Sequence, residues 1–197
     1  KADILNSMIY SEGIQLFQEG KYSDASYNFR KILDYQDASS YFVKSNLAIV
    51  ETLLDEMIDS EGETNRFGLV RTYIQDAKET DNQELTTWLN SNAEKIYESI
   101  LIMVQYNSEE YEFYNSYTIY IELLDDISQY YTDAKMLKEI IKALHQIDVT
   151  GSTDIDELKA YIDRDLVKTI IMQSQSIAQT FLEGNWTSGS WYFTMDE

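Results

Sequence analysis

Three groups of acidic side chains and one histidine are the residues of this sequence that could do acid–base chemistry. They are Glu109-Glu110, Asp125-Asp126, the Asp154-x-Asp156-Glu157 motif and His145. Two neighbouring carboxylates can divide the roles of general acid and general base. A catalytic histidine needs a nucleophile or a substrate within hydrogen-bond reach, and no pattern around His145 supplies one. Because 35 acidic residues make carboxylate pairs unavoidable, the sequence predicts no catalytic residue and no enzyme activity.

Two polar loops resemble calcium-binding loops in composition. Residues 59–65 read DSEGETN and residues 148–157 read DVTGSTDIDE. A helix-loop-helix calcium site needs glycine at its sixth position and glutamate at its twelfth, and neither loop has both. Phosphate-loop, dinucleotide and zinc signatures are also missing from the sequence. We therefore predict no metal site and no cofactor.

Tyrosines concentrated in one stretch are the candidates for binding a partner. Among the 16 tyrosines, the candidate partner-binding set is Tyr106, Tyr111, Tyr114, Tyr117 and Tyr120, with Tyr130 and Tyr131 following closely. Tyrosine anchors interfaces because it buries a large ring while its hydroxyl keeps a hydrogen-bond partner. The alternative is a semi-buried packing edge between stacked helices.

Composition restricts the class of partner. The formal charge of −20 gives a field that repels nucleic-acid phosphates and anionic lipid surfaces, so the expected partner is a protein or peptide, with basic segments favoured. Solubility alone is the other explanation of this charge. No stretch is apolar enough for a membrane span, and KADILNSM has no signal core. Since the chain begins with Lys1, we expect the native chain to extend upstream.

The apolar periodicity predicts an all-α protein of about eight helices, and the absence of proline supports it. Expected helices cover 2–19, 23–34, 38–58, 66–79, 83–105, 108–126, 132–147 and 154–183. Leu5 and Met8 are expected on the apolar face of the first of these helices. Asp37 is expected to cap the third helix, and Asp81 with Glu84 the fifth. Residues 96–106 are expected to be the most deeply buried. Residues 1–183 form the predicted helical domain, and 184–197 a β-prone tail.

Residues 9–37, IYSEGIQLFQEGKYSDASYNFRKILDYQD, resemble a tetratricopeptide repeat, a helix-turn-helix unit of 34 residues. The repeat-packing positions are Gly13, Leu16, Gly20, Tyr22, Ala25 and Phe29. Small residues at Gly13 and Ala25 let the two helices cross closely. Ile9 departs from the usual tryptophan, Asp37 stands where proline often ends the unit, and no later segment repeats the pattern at 34 residues.

A weaker internal echo joins Tyr35-Gln36-Asp37-Ala38 to Tyr131-Thr132-Asp133-Ala134. Its offset of 96 residues does not fit an array of 34, so we expect one repeat-like hairpin leading into a divergent stack of antiparallel hairpins or a bundle. The tetratricopeptide resemblance implies a non-enzymatic interaction module that binds a protein or peptide on a helical surface.

Two further resemblances bear on setting and alternative function. The phrases KYSDAS and YQDASSYF resemble helical regions of anchored surface proteins of Gram-positive bacteria, which implies an extracytoplasmic or cell-surface setting; a cytoplasmic one stays open. The tail from Gly184, with GNW and SWYF, is similar to the first strand of small lipocalin-like β domains. That likeness implies the alternative function, a helical spacer or scaffold supporting a C-terminal ligand-binding β domain.

Overall fold

A computed structural model of the chain describes residues 2–80, 83–107 and 113–150, and its regular elements in these ranges are all α-helices. They are α1 (Ala2–Gln18), α2 (Tyr22–Arg30), α3 (Ala38–Asp59), α4 (Phe67–Lys78), α5 (Gln83–Asn107), α6 (Phe113–Ile127) and α7 (Asp133–Thr150). The predicted all-α class is confirmed. The expected eighth helix, the capping residue Asp81 and the tail 184–197 lie outside the described residues.

The helices alternate between two rows. Helices α1, α3, α5 and α7 form what we call the odd row, in which each packs on the next, and α4 packs on α6 in the even row, which also contains α2. Each helix also packs on its neighbour in sequence, and a short turn joins α1 to α2. Stacking pairs of helices bury a continuous core that no single pair could bury alone. The fold is compatible with a helical-repeat architecture.

The spacing of the helices explains why no regular repeat is visible in the sequence. Odd-row helices begin at residues 2, 38, 83 and 133, so successive pairs are offset by 36, 45 and 50 residues. Much of the drift comes from α3 and α5, which have 22 and 25 residues against 17 in α1. A search at a fixed 34-residue period therefore misses these pairs.

The first hairpin has the close helix crossing that the sequence predicts. A Cβ atom on Gly13 would lie 2.8 Å from two ring atoms of Phe29, which is fully buried. Ala25 is also fully buried, Leu16 packs on the core, and Tyr22 lies edge-on against Phe17 with ring centroids 5.4 Å apart. The absence of a side chain at Gly13 is what lets α1 approach the Phe29 ring.

Gly20 ends α1 in the way its residue type indicates. Its φ of +75° is a left-handed conformation that glycine adopts without strain. The Lys21 amide donates to the Leu16 carbonyl at 2.9 Å, and the Gly20 amide donates to the Phe17 carbonyl at 3.1 Å. These two bonds form a Schellman turn, which satisfies carbonyls at the helix end and reverses the chain into α2.

Three local predictions are wrong. Helix α2 ends at Arg30 and not near residue 34, because the chain continues in tight turns up to Asp37. Asp37 precedes α3 but makes no capping hydrogen bond, since its carboxylate accepts one from the Tyr10 hydroxyl instead. The predicted burial of Leu5 and Met8 on the apolar face of α1 is also wrong, since they are 57% and 65% exposed and no described helix packs on their side of α1.

Ion pairs connect helices within each row. In the odd row, Lys44 of α3 binds Glu84 of α5 at 3.0 Å, and Lys95 of α5 binds Asp55 of α3 at 2.6 Å. In the even row the pairs are Arg30–Asp76 at 3.0 Å, Arg71–Glu122 at 2.6 Å and Lys78–Asp126 at 2.6 Å. Both rows therefore use basic side chains to hold helices that are not consecutive in sequence.

Replacing Gly13 tests the close crossing. Gly13→Ala should lower the free energy of unfolding by up to about 2 kcal/mol, because overpacking against Phe29 costs about 1–3 kcal/mol and exceeds the gain in helix propensity of about 1 kcal/mol. The control is Gly68→Ala, since nothing lies within 4 Å of a Cβ there. Urea unfolding followed by circular dichroism measures both. Equal stabilisation of the two variants would contradict the crossing.

Replacing Lys78 tests the ion pairs of the even row. Lys78→Gln leaves the half-buried Asp126 carboxylate without its cation, so we expect the free energy of unfolding to fall by about 1–2 kcal/mol. Lys21→Gln is the matched control, because its partner Glu19 lies on the same hairpin and both side chains are exposed. That variant should change stability by less than about 0.5 kcal/mol in the same urea assay. Equal losses would mean that the pairing of α4 with α6 contributes nothing specific.

Candidate functional site

The structure distributes the predicted tyrosines among different environments. Tyr106 belongs to α5 and Tyr114 to α6, while Tyr111 lies outside the described residues. Tyr117 is half-buried and packs on the core. Tyr120 is fully buried, with its ring edge-on to Phe67 at 5.1 Å between centroids, which is the packing role between helices that the sequence left open as the alternative. Its position on the inner side of α6 makes it a core residue.

The acidic pair that the structure describes is occupied by lysines. Asp126 binds Lys78, and Asp125 binds Lys138. Burial raises the pKa of Asp126, while the hydrogen bond and charge of Lys78 oppose that rise. These carboxylates stabilise contacts between helices. Glu109-Glu110 and the motif at 154–157 lie outside the described residues, and the side chain of His145 is likewise not described.

Two junctions between odd-row helices bring tyrosines and carboxylates together. The first, which we call the Tyr10 junction, joins α1 to the start of α3. Tyr10 lies edge-on to Tyr35 with centroids 5.8 Å apart, and its hydroxyl donates a hydrogen bond to Asp37. This hydrogen bond, followed by burial and the charge of Asp37, raises the pKa of Tyr10 to about 12. The donor and the acceptor in this junction satisfy each other.

Phe29 connects the Tyr10 junction to the hairpin beneath it. Its ring stacks on Tyr41 of α3 at 5.3 Å and meets Tyr10 edge-on at 6.0 Å. Tyr41 in turn lies 5.4 Å from Phe17 of α1. Offset and edge-on arrangements are the favourable geometries for aromatic rings. The result is a continuous aromatic cluster that fixes α3 against the first hairpin.

The second, which we call the Tyr97 junction, joins α5 to the start of α7. The rings of Tyr97 and Tyr131 lie 4.9 Å apart between centroids. Tyr97 is only 5% exposed, and its hydroxyl has no hydrogen-bond partner among the described residues. Burial, and then the nearby Asp133 carboxylate, raises the pKa of Tyr97. A buried polar group that lacks a partner costs free energy in the folded protein.

Additional carboxylates surround the Tyr97 junction. Burial, then the charges of Glu94, Asp133 and Glu98, raises the pKa of the half-buried Tyr131. Glu94 and Glu98 are both exposed on α5 and stand four residues apart, so they share a face and repel each other. Lys95, between them in sequence, is bound to Asp55 of α3. The junction therefore combines two tyrosines with three carboxylates.

The internal echo found in the sequence corresponds to these two junctions. Ala38 and Ala134 are both fully buried, and each amide donates to the carbonyl of the tyrosine three residues earlier, at 3.0 and 3.2 Å. Each of those tyrosines, Tyr35 and Tyr131, contacts a tyrosine of the preceding odd-row helix. The offset of 96 residues is thus the sequence separation that corresponds to two successive helix pairs. Sequence reasoning found the echo but missed Tyr97, which it treated only as part of a buried segment.

A third feature is the exposed apolar face of α1. Ile4, Leu5 and Met8 are 68%, 57% and 65% exposed. They lie away from the face that carries Gly13 toward Phe29. No helix of the described residues packs on this face.

Comparisons of the chain with protein-family models, with curated proteins and with solved structures give no match. Within the described residues, no helix combines the length and the apolar character that crossing a membrane requires. In the same residues, no group of three histidine, cysteine, aspartate or glutamate side chains is arranged to hold a metal ion.

Removing the Tyr10 hydroxyl tests the first junction. Tyr10→Phe should lower the free energy of unfolding at neutral pH by about 1 kcal/mol, because the Asp37 carboxylate loses a donor. Folding raises the pKa of Tyr10 from about 10 to about 12, so the folded state holds the phenol proton more tightly. The stability due to this bond is present below pH 10 and is lost as the pH rises toward 12.

The measurement is the difference in unfolding free energy between wild type and Tyr10→Phe at increasing pH. This difference should shrink above about pH 10. Tyr22→Phe is the control, because the Tyr22 ring also packs on α1 through Phe17. A difference that does not change with pH would show that the hydroxyl of Tyr10 does not stabilise the fold through Asp37.

Proposed function

We propose that this chain is a non-enzymatic interaction module that binds basic segments of a protein or peptide partner on its odd row. The observation that supports this most directly is the use of basic side chains in the fold. Eight lysines and arginines of the described residues form ion pairs with aspartates or glutamates. Since the whole chain has 15 basic and 35 acidic residues, these pairs leave a large acidic excess without compensation.

Part of that excess lies at exposed positions of the odd row. Glu51, Glu56 and Asp59 are exposed on α3, and Glu94 and Glu98 are exposed on α5. Acidic residues near the C-terminal end of α3 are unfavourable for the helix dipole, and no basic residue lies in its last turn. A partner that brings positive charge to this surface would relieve the repulsion and would be attracted from a distance.

The architecture supports the same proposal. Stacked helix pairs present one row of helices as an extended surface, and proteins of this type commonly bind chains along it. The half-buried Tyr131 gives that surface an aromatic group beside the carboxylates. The resemblance of KYSDAS and YQDASSYF to helical regions of anchored surface proteins makes an extracytoplasmic setting part of the proposal.

Peptide binding at different salt concentrations tests this function. We expect a fluorescein-labelled peptide of alternating lysine and serine to bind, and the same peptide with glutamate in place of lysine not to bind. The affinity for the lysine peptide should fall as salt rises from about 0.05 to about 0.5 M, because exposed charges are screened over a shorter distance. Fluorescence anisotropy measures both peptides.

The control for general charge attraction is a peptide of the same composition with all its lysines grouped at one end. Preference for the alternating peptide would indicate recognition along the helices. Failure of both lysine peptides to bind would contradict the proposal and would favour the alternative of a helical scaffold for a C-terminal β domain.

A further inference from the structure

The Tyr97 hydroxyl is a buried polar group that the packing of the helices does not explain. Tyr97 is more than nine-tenths buried, and its hydroxyl has no partner among the described residues. A phenylalanine would fill nearly the same volume without this cost. The hydroxyl can accept a hydrogen bond from a donor that the described part of the chain does not supply.

The Tyr10 junction shows what the same arrangement looks like when it is complete. There the tyrosine of the earlier odd-row helix donates its proton to the aspartate that follows the second tyrosine. The Tyr97 junction has the corresponding residues Tyr131 and Asp133, but it lacks the corresponding hydrogen bond. It also has Glu94 and Glu98, which add negative charge at this position. The tyrosine hydroxyl of the first junction is hydrogen-bonded within the junction, whereas that of the second has no partner among the described residues.

We propose that the Tyr97 junction binds the ammonium or guanidinium group of a basic side chain. This inference rests on the proposed function, in which the partner is a basic protein or peptide. Glu94, Glu98 and Asp133 attract the cation and accept its hydrogen bonds. The Tyr131 ring offers its face to the charge, and such contacts strengthen as they lose water. The N–H group of the cation donates to the Tyr97 hydroxyl.

Access to that hydroxyl requires one local movement. Tyr131 is half-buried against Tyr97, with an angle of 47° between the rings. A turn of the Tyr131 side chain opens the hydroxyl to a bound group, and rotamer changes of this kind are common when interfaces form. The backbone of the junction is held by the amide of Ala134, which donates to the Tyr131 carbonyl. The proposed binding therefore needs a movement of the Tyr131 ring and no change in this backbone hydrogen bond.

The geometry fits an organic cation. Among the described residues, the carboxylates around Tyr131 do not form a group of three that could hold a metal ion. An ammonium or guanidinium group carries several donors that point in different directions, so it can reach carboxylates and a hydroxyl that do not converge. A basic side chain extended from a partner backbone meets these requirements.

The test compares two variants of equal charge with wild type, using the labelled lysine–serine peptide. Glu94→Gln with Glu98→Gln should weaken binding about tenfold, the loss expected when charge-assisted hydrogen bonds are removed. Glu61→Gln with Glu63→Gln makes the same change of charge in the exposed turn after α3, and it should weaken binding less than about twofold. Equal losses of affinity in both variants would contradict binding at the Tyr97 junction. They would instead indicate that the peptide is attracted by the overall negative charge of the protein.

Tyr97→Phe supplies a readout that a purely structural role would not produce. Removing the hydroxyl should raise the midpoint of thermal unfolding of the free protein while it weakens peptide binding several-fold. Tyr10→Phe, at the Tyr10 junction, should lower the unfolding midpoint and leave binding within about twofold. Unchanged binding by Tyr97→Phe would overturn the role of the hydroxyl.

A small-cation titration separates this inference from the proposed function. Butylammonium and butylguanidinium chloride should shift the amide resonance of Tyr131 in ¹⁵N-labelled wild-type protein, and sodium chloride at equal ionic strength should not. If wild type binds no peptide but shows these shifts, the junction stands and the peptide-binding function fails. If neither small cation shifts Tyr131 more than sodium does, the junction is overturned whatever the peptides do.

Discussion

The fold depends on contacts between helices that are two positions apart in the chain. A single pair of helices of this length has too little apolar surface to be stable, so each pair must bury its free face on the next one. Phe29 shows how this works, because one ring lies under Gly13 of α1 and also stacks on Tyr41 of α3. The second pair is therefore positioned by the same side chain that closes the first.

Ion pairs hold neighbouring helices of a row together, and they also determine which charges remain on the surface. The pairs Lys44–Glu84 and Lys95–Asp55 hold α3 beside α5 with the same offset of 40 residues, which is consistent with two parallel helices in register. Each such pair neutralises one acidic residue and removes one basic side chain from the surface. Because acidic residues are far more numerous, the same pairing that fixes the rows leaves the exposed face of the odd row negative.

The sequence predicted most helices because their apolar periodicity follows from burial on one side. Val50, Leu54 and Met57 of α3 are fully buried as the pattern indicates, and so are Ile96, Ile100, Met103 and Val104 of α5. The sequence predictions were wrong where one side chain can make two different contacts. They were also wrong where burial depends on which helices lie alongside. Asp37 suits a helix cap, but the hydroxyl of Tyr10, 27 positions earlier, takes its carboxylate. Met8 suits a core, but no described helix packs on its side of α1.

The candidate site was harder to predict than the fold, because local sequence does not show which tyrosines meet. Tyr120 and Tyr131 stand in the same tyrosine-rich stretch, yet one faces Phe67 in the core and the other lies beside carboxylates from two helices. The sequence does contain one signal for the site, which is the similarity of Tyr35-Gln36-Asp37-Ala38 to the four residues that begin at Tyr131. That similarity marks two equivalent positions in a stack of helix pairs of unequal length.

Comparison of the two junctions shows that the Tyr97 junction has a feature that does not stabilise the fold. The Tyr10 and Tyr97 junctions each bring two tyrosine rings into contact beside an aspartate, with centroids 5.8 and 4.9 Å apart. At the first, the hydroxyl and the carboxylate stabilise each other. At the second, the hydroxyl is buried without a partner among the described residues and additional carboxylates repel one another, which lowers the stability of the free protein. A site that is unfavourable alone and would become favourable with a cationic donor is poised for binding, because the ligand removes a cost that already exists in the fold.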